Sequence, residues 1–248
     1  KITYNGHCCT LKENLIEYVK TLLNVNEATI ENGIINLKVN DEIVVENRDG
    51  EEWIYLYSFY NAENQIARNI LELDKYRNVK KVSNIEKELN LVEKRTDIIL
   101  SEKQKEAIRA INDNNVTIIT GGPGTGKTTT INGIIKIYKK VQPKKKVFVL
   151  APTGRAARRA NEATGEDTMT IDKLLVMLGS GEYPDLLKEL VNGLIICDEM
   201  SMVDAWKIHD LVQYLTPQSH LILVGDPNQL PSVDAGDVLR QLILCKAF

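Results

Sequence analysis

Ten residues, GGPGTGKTTT at positions 121–130, constrain this chain more than any other stretch. They follow VTIIT, a short β-branched run whose Val116, Ile118 and Ile119 suit a buried strand. Gly121-Gly122-Pro123-Gly124 then stops regular structure, and a helix-compatible segment begins near Lys127. The spacing fits G-x-x-x-x-G-K-[ST], with Gly121, Gly126, Lys127 and Thr128 in the defining places.

A phosphate chain needs many donors at close range. Glycines let successive backbone N–H groups point inward and remove the Cβ atoms that would block the oxygens. The start of the helix adds unpaired N–H groups and the positive end of a dipole. The expected nucleotide contacts are Gly122, Gly124, Thr125, Gly126, Lys127, Thr128 and Thr129. In this reading Lys127 reaches the β- and γ-phosphates of ATP, and the Thr128 hydroxyl coordinates Mg²⁺.

Downstream, Leu194-Ile195-Ile196-Cys197 reads as a buried strand that delivers Asp198 and Glu199 at its carboxyl end. Such a pair suits a division of labour in which Asp198 holds Mg²⁺ and Glu199 orients and deprotonates a water. Leu221–Val224 reads as another buried strand, ending in Gly225-Asp226-Pro227-Asn228-Gln229. Gln229 sits beside the γ-phosphate if this strand neighbours the one carrying Asp198; otherwise it is a loop amide satisfying backbone groups.

The other features leave alternatives open. Ser101 and Gln104 have capping-box spacing; Gln104 either serves that cap or reads an adenine edge with its amide. Val147–Leu150 reads as a strand, followed by Ala151-Pro152-Thr153-Gly154 and then Arg155, Arg158 and Arg159 on one helical face. That face is either solvated or a contact for a phosphate backbone. Residues 168–178 read as helical, as do residues 238–244.

The first third reads differently. Residues 11–23 carry Leu11, Leu15, Val19 and Leu22 at helical spacing, and residues 27–39 suggest a second helix. Ile43–Val45 and Trp53–Tyr57, joined through Asn47-Arg48-Asp49-Gly50, read as a hairpin. This predicts a small winged-helix-like α+β module over 1–59. Glu27 and Glu31 on its second helix favour a structural or protein-binding role over DNA binding. Residues 60–97 read as a helical connector, with Val79, Val82, Ile85, Leu89 and Val92 at helix-like intervals, and residues 98–248 as an α/β domain with a mostly parallel sheet and the ATP site at its strands' carboxyl ends.

Length and composition allow this division. The chain has 248 residues, 43% of them hydrophobic, and a net charge of −3 that selects no partner class. Cys8, Cys9, Cys197 and Cys245 show no zinc spacing, and His7, His209 and His220 are scattered. No stretch is apolar and long enough to span a membrane. A reducing, cytoplasmic setting is the expectation. The chain begins at Lys1 and ends at Phe248 after an apolar run, the pattern expected of a piece of a longer protein.

GGPGTGKTTT, APTGRAARRA, DEMSMVD and LVGDPNQLPSV, in that order, resemble motifs I, Ia, II and III of superfamily 1 DNA helicases, most closely the RecD-like branch. LSEKQKEAI resembles that family's Q motif, and YNAENQIARNILEL the helix before the motor of its stand-alone members. The resemblance spans about residues 60–248. It implies a RecA-like P-loop NTPase fold, ATP hydrolysis with Mg²⁺, and 5′→3′ movement on single-stranded DNA. Residue by residue, it implies phosphate and Mg²⁺ binding by Lys127 and Thr128, Mg²⁺ on Asp198, water activation by Glu199, γ-phosphate sensing by Gln229, adenine contact by Gln104, and DNA contact by Thr153, Gly154 and Arg155. One departure is Asp172 after Thr170-Ile171, where the family often has His. The later motifs, with their charge-stabilising arginines, belong to a second motor domain. A chain ending after motif III is therefore expected to bind ATP and hydrolyse it poorly, since such an arginine is worth about 10³–10⁵ in rate. Alternative readings are a P-loop kinase for a small molecule and a non-catalytic, ATP-gated adaptor for DNA or a protein partner.

Overall fold

The computed structural model describes residues 6–75, 82, 84–96 and 99–245. The first part runs β1 (Cys9–Leu11), α1 (Lys12–Leu23), α2 (Glu27–Val39), β2 (Ile43–Arg48), β3 (Glu51–Leu56) and α3 (Tyr57–Lys75). The three strands form an antiparallel sheet in the order β1-β3-β2. Both predicted helices and the hairpin are present. The hairpin turns at Asp49 and Gly50, both left-handed, with the Asn47 side chain accepting from the Gly50 N–H. The short strand β1 carries no periodic signal and was not expected; it exists because β3 offers it Trp53, Ile54 and Tyr55 as partners.

The second part continues with α4 (Ile85–Thr96), α5 (Glu102–Asp113), β4 (Val116–Thr120), α6 (Lys127–Val141), β5 (Val147–Ala151), α7 (Gly154–Thr164) and β6 (Thr168–Thr170). It ends with α8 (Ile171–Ser180), α9 (Pro184–Leu190), β7 (Leu194–Cys197), a 3-10 turn (Met200–Met202), α10 (Ala205–Val212), β8 (His220–Gly225) and α11 (Val238–Cys245). Five strands form one parallel sheet in the order β4-β8-β7-β5-β6. Here residues 168–178 correct the sequence reading. Thr168–Thr170 pair with Val149–Ala151 as an edge strand, and the helix starts only at Ile171, capped by the Thr170 hydroxyl. The β-branched threonines fit the strand, and the last one doubles as a cap.

Side chains alternate across this sheet, as strand geometry requires. Phe148, Leu150, Ile195, Cys197, Leu221 and Leu223 pack on one face with α3, α8, α10 and α11. Val147, Val149, Leu194, Ile196, Ile222 and Val224 pack on the other with α4, α5 and α6. Ile66, Ile70 and Leu73 of α3 lie in the same cluster as Ile208 and Leu211 of α10. Phe59 stacks at a tilt on Trp206, with centroids 5.3 Å apart, so the first part of the chain packs directly on the parallel sheet's helical layer. Val79, expected on the connector helix, lies outside the described residues. Among the described residues, no helix is long and apolar enough to cross a membrane.

Candidate nucleotide site

The loop between β4 and α6 curls as its glycines permit. Gly124 and Gly126 hold φ at 74° and 84°, in the left-handed region. A Cβ on Gly121 would lie 2.5 Å from the Thr125 hydroxyl, and one on Gly126 would run into the Gln104 amide. The Gly121 N–H donates to the Gly225 carbonyl at 3.3 Å, tying the loop to the end of β8. The Lys127 ammonium donates to the carbonyls of Gly121 (2.6 Å) and Gly122 (3.1 Å). It is therefore held over the loop at the start of a 15-residue helix.

The order β4-β8-β7 places one strand between the loop-bearing strand and the strand carrying the two acids. That intervening strand ends in the segment with Gln229, so the condition set by the sequence is met. Thr128, Asp198, Glu199 and Gln229 line one cleft of about 580 Å³, together with Thr153, Arg155 and Arg159. Gln229 accepts a long hydrogen bond from Ser201 Oγ at 3.5 Å.

The acids are held under electrostatic load. Burial pushes the Asp198 carboxyl above the usual range, and the adjacent Glu199 carboxylate adds to this. The Glu199 backbone N–H, 2.9 Å from Asp198 Oδ1, and the Lys127 ammonium work in the opposite direction. A divalent cation at Asp198 would relieve the same load. Glu199 itself sits at φ 53°, and its Oε2 is buried without a hydrogen-bond partner. A buried carboxylate oxygen lacking a donor suits a site that receives a water or a ligand hydroxyl. The glycine cradle, the fixed ammonium, the Thr128 hydroxyl and the two acids together would suit a magnesium-bound nucleoside triphosphate: Lys127 would meet its phosphates, and Thr128 and Asp198 would hold the metal.

Gln104 does two things at once. Its Oε1 accepts from the Ser101 N–H at 2.9 Å while Ser101 Oγ accepts from the Gln104 N–H, completing the capping box. Its Nε2 donates to the Gly126 carbonyl at 3.2 Å. The amide thus joins the start of α5 to the phosphate loop. Thr129 lies in the first turn of α6, one residue past Thr128. Thr153, Gly154 and Arg155 form the exposed first turn of α7, where the Thr153 hydroxyl caps the helix through the Ala156 N–H.

Two further residues belong to this region, one with no role from sequence and one whose role the sequence left open. Asp226 is only 4% exposed; its Oδ1 accepts from the Asn228 N–H and its Oδ2 lies near Gly122. An aspartate directly after an apolar strand was the signal available for it. Arg159 faces the cleft, whereas its neighbour Arg158 is not among the lining residues. Helical spacing alone could not separate these two.

A five-stranded parallel sheet with a phosphate loop at one strand end and paired acids two strands away defines a RecA-like P-loop domain. The AAA domain family matches residues 104–235, and the chain belongs to it, in the RecD-like superfamily 1 helicase branch. The RecD subunit of the RecBCD enzyme of Mycolicibacterium smegmatis is 34% identical over 171 residues, covering 57% of this chain and 30% of that protein. The ATP-dependent RecD2 DNA helicase of Deinococcus radiodurans is 36% identical over 137 residues, covering 55% of this chain and 19% of that protein. The crystal structure of the Pif1 helicase from Candida albicans overlaps 54% of this chain and 34% of its own, at 28% identity and a TM-score of 0.40. The chain thus spans less than a third of the length of the two RecD-type proteins it matches.

Proposed function

We propose that this chain is the first motor half of an ATP-dependent DNA helicase that moves 5′→3′ on single-stranded DNA. The observation that carries this reading is the meeting of Thr128, Asp198, Glu199 and Gln229 in one cleft, with a buried Glu199 oxygen lacking a donor. Lys127 binds and orients the phosphates, and Gln104 fixes the loop against α5. Glu199 takes a proton from the attacking water, and Gln229 reports whether a third phosphate is present. Magnesium, when bound, supplies neutralising charge to the phosphates.

The exposed first turn of α7, with Thr153, Gly154 and Arg155, is the proposed contact for the DNA backbone. Residues 1–59 act as an accessory module for a protein partner, residues 60–97 as a connector and residues 98–248 as the motor domain. Hydrolysis by this chain alone is slow, because charge-stabilising arginines from a second motor domain are part of the reading.

The test is steady-state ATP hydrolysis with and without single-stranded DNA, on this chain and on a chain extended by a second motor domain. The expected result is strong DNA stimulation in the extended chain alone, abolished by Lys127→Ala. Brisk DNA-stimulated turnover by this chain alone would refute the division of labour. An absence of DNA response in both would refute the helicase reading.

A further inference from the structure

Helix α7 is held rigidly beside the phosphate-loop helix. Asn132 Nδ2 of α6 donates to the Ala163 carbonyl at 2.9 Å, and the Thr168 hydroxyl of β6 donates to the Ala157 carbonyl. Just past its C-terminus, Glu166 accepts from Lys139 at 2.7 Å. These ties fix the helix's rotation, so Arg155 and Arg159 are presented to the cleft.

Several charged groups lining that cleft are unmatched. Among the described residues, neither Arg155 nor Arg159 has an ion-pair partner. Neither is bonded to Glu199, whose buried Oε2 has no donor at all. A ligand that satisfies this edge must offer anionic acceptor oxygens to the guanidiniums and a hydroxyl to the carboxylate. A phosphodiester has acceptors only and leaves Oε2 unpaired. Orthophosphate carries both, since each of its protonation states near neutral pH keeps a P–OH group.

We propose that Arg155, Arg159 and Glu199 form a holding site for orthophosphate, the product released when the nucleotide's terminal phosphate is cleaved. The inference rests on the nucleotide-hydrolase reading of the cleft. Arg155 also lies in the first turn proposed to contact a DNA backbone, so Arg159, one turn further along α7, is the arginine that belongs to this site alone.

Equilibrium dialysis of labelled orthophosphate against the chain saturated with Mg-ADP tests this, with fluorescent ADP affinity measured in parallel. Arg159→Ala is expected to weaken orthophosphate binding about tenfold or more, whereas Arg158→Ala changes it by less than about twofold. ADP affinity stays unchanged in both variants, and dimethyl phosphate fails to compete. Undiminished phosphate binding in Arg159→Ala overturns the proposal, as does an equal loss in Arg158→Ala. Equal competition by dimethyl phosphate overturns it too, and assigns the arginines to a nucleic-acid backbone. A parent chain that does not bind ADP overturns the hydrolase reading itself, and this inference with it.

Discussion

Glu199 keeps a conformation that suits glycine better than glutamate. Its φ of 53° places a Cβ against the following carbonyl, at a cost of roughly 1–2 kcal/mol. The buried, partnerless Oε2 adds to that cost. Backbone strain of this kind collects where chemistry needs a side chain in one place. Glu199→Gly is therefore expected to raise unfolding free energy by about 1 kcal/mol in urea titrations, once the glycine's extra unfolded-state entropy is set against the relief. The same variant abolishes ATP turnover in a motor-competent chain. A loss of stability instead would show that Glu199 is not strained.

At this scale the sequence was informative where spacing encodes chemistry. Lys127, Thr128, Asp198 and Glu199 could be placed because the loop and strand-end patterns admit few readings. Arg159 could not be separated from Arg158, because the two are adjacent on the helix and only the packing of α7 against α6 and β6 decides which of them faces inward. Gln104 illustrates a third case. Local spacing gave its cap, but its bond to the Gly126 carbonyl spans 22 residues and depends on how α5 docks.

Among elements, α5 shows how a cap serves a site. The reciprocal bonds between Ser101 and Gln104 hold the helix start and aim the Gln104 amide at the loop. Ser101→Ala should cost about 1 kcal/mol of stability with nucleotide affinity little changed, because the Gln104 side chain keeps both its acceptor and donor contacts. Gln104→Ala removes the bridge as well, and is expected to weaken nucleotide binding measurably beyond its effect on stability. Titration of a fluorescent nucleotide into both variants separates the two effects; parallel losses would deny the amide any role at the loop. Helices with apolar residues at helical spacing, such as α1 and α3, were legible in advance, as was the start of α6 near Lys127. The three-residue strands β1 and β6 were not, because so short a segment becomes a strand only when a neighbour supplies the ladder.

The whole molecule carries a pH dependence at the foot of the parallel sheet. His220 opens β8, 3% exposed, its ring edge-on to Tyr138 at 5.6 Å. Burial first, and then the Lys145 charge, bring its pKa down to about 4 from 6.5. The unfolded chain thus takes up a proton below pH 6.5, while the folded chain resists until about pH 4. Stability is therefore fully present above pH 6.5, falls through this window, and levels off beneath it; the loss is on the order of 3 kcal/mol. His220→Phe keeps the ring packing and should remove most of that slope in denaturation curves between pH 7 and pH 4. An unchanged slope would trace the acid sensitivity to the carboxylates.

The order of strands also sets a schedule for synthesis. Val116 pairs with Leu221 and Thr120 with Gly225, so the phosphate-loop strand finds its ladder only in a strand made about a hundred residues later. During translation the loop, its lysine and the first acid-bearing strand all leave the ribosome before β8 exists to join them. The nucleotide pocket thus assembles only once β8 has been made, and before then ATP has no complete pocket to template. Force-sensing arrest sequences placed at successive lengths should report the main folding event only after His220–Gly225 has cleared the exit tunnel. An earlier event that depends on ATP would mean that the loop organises without its neighbour.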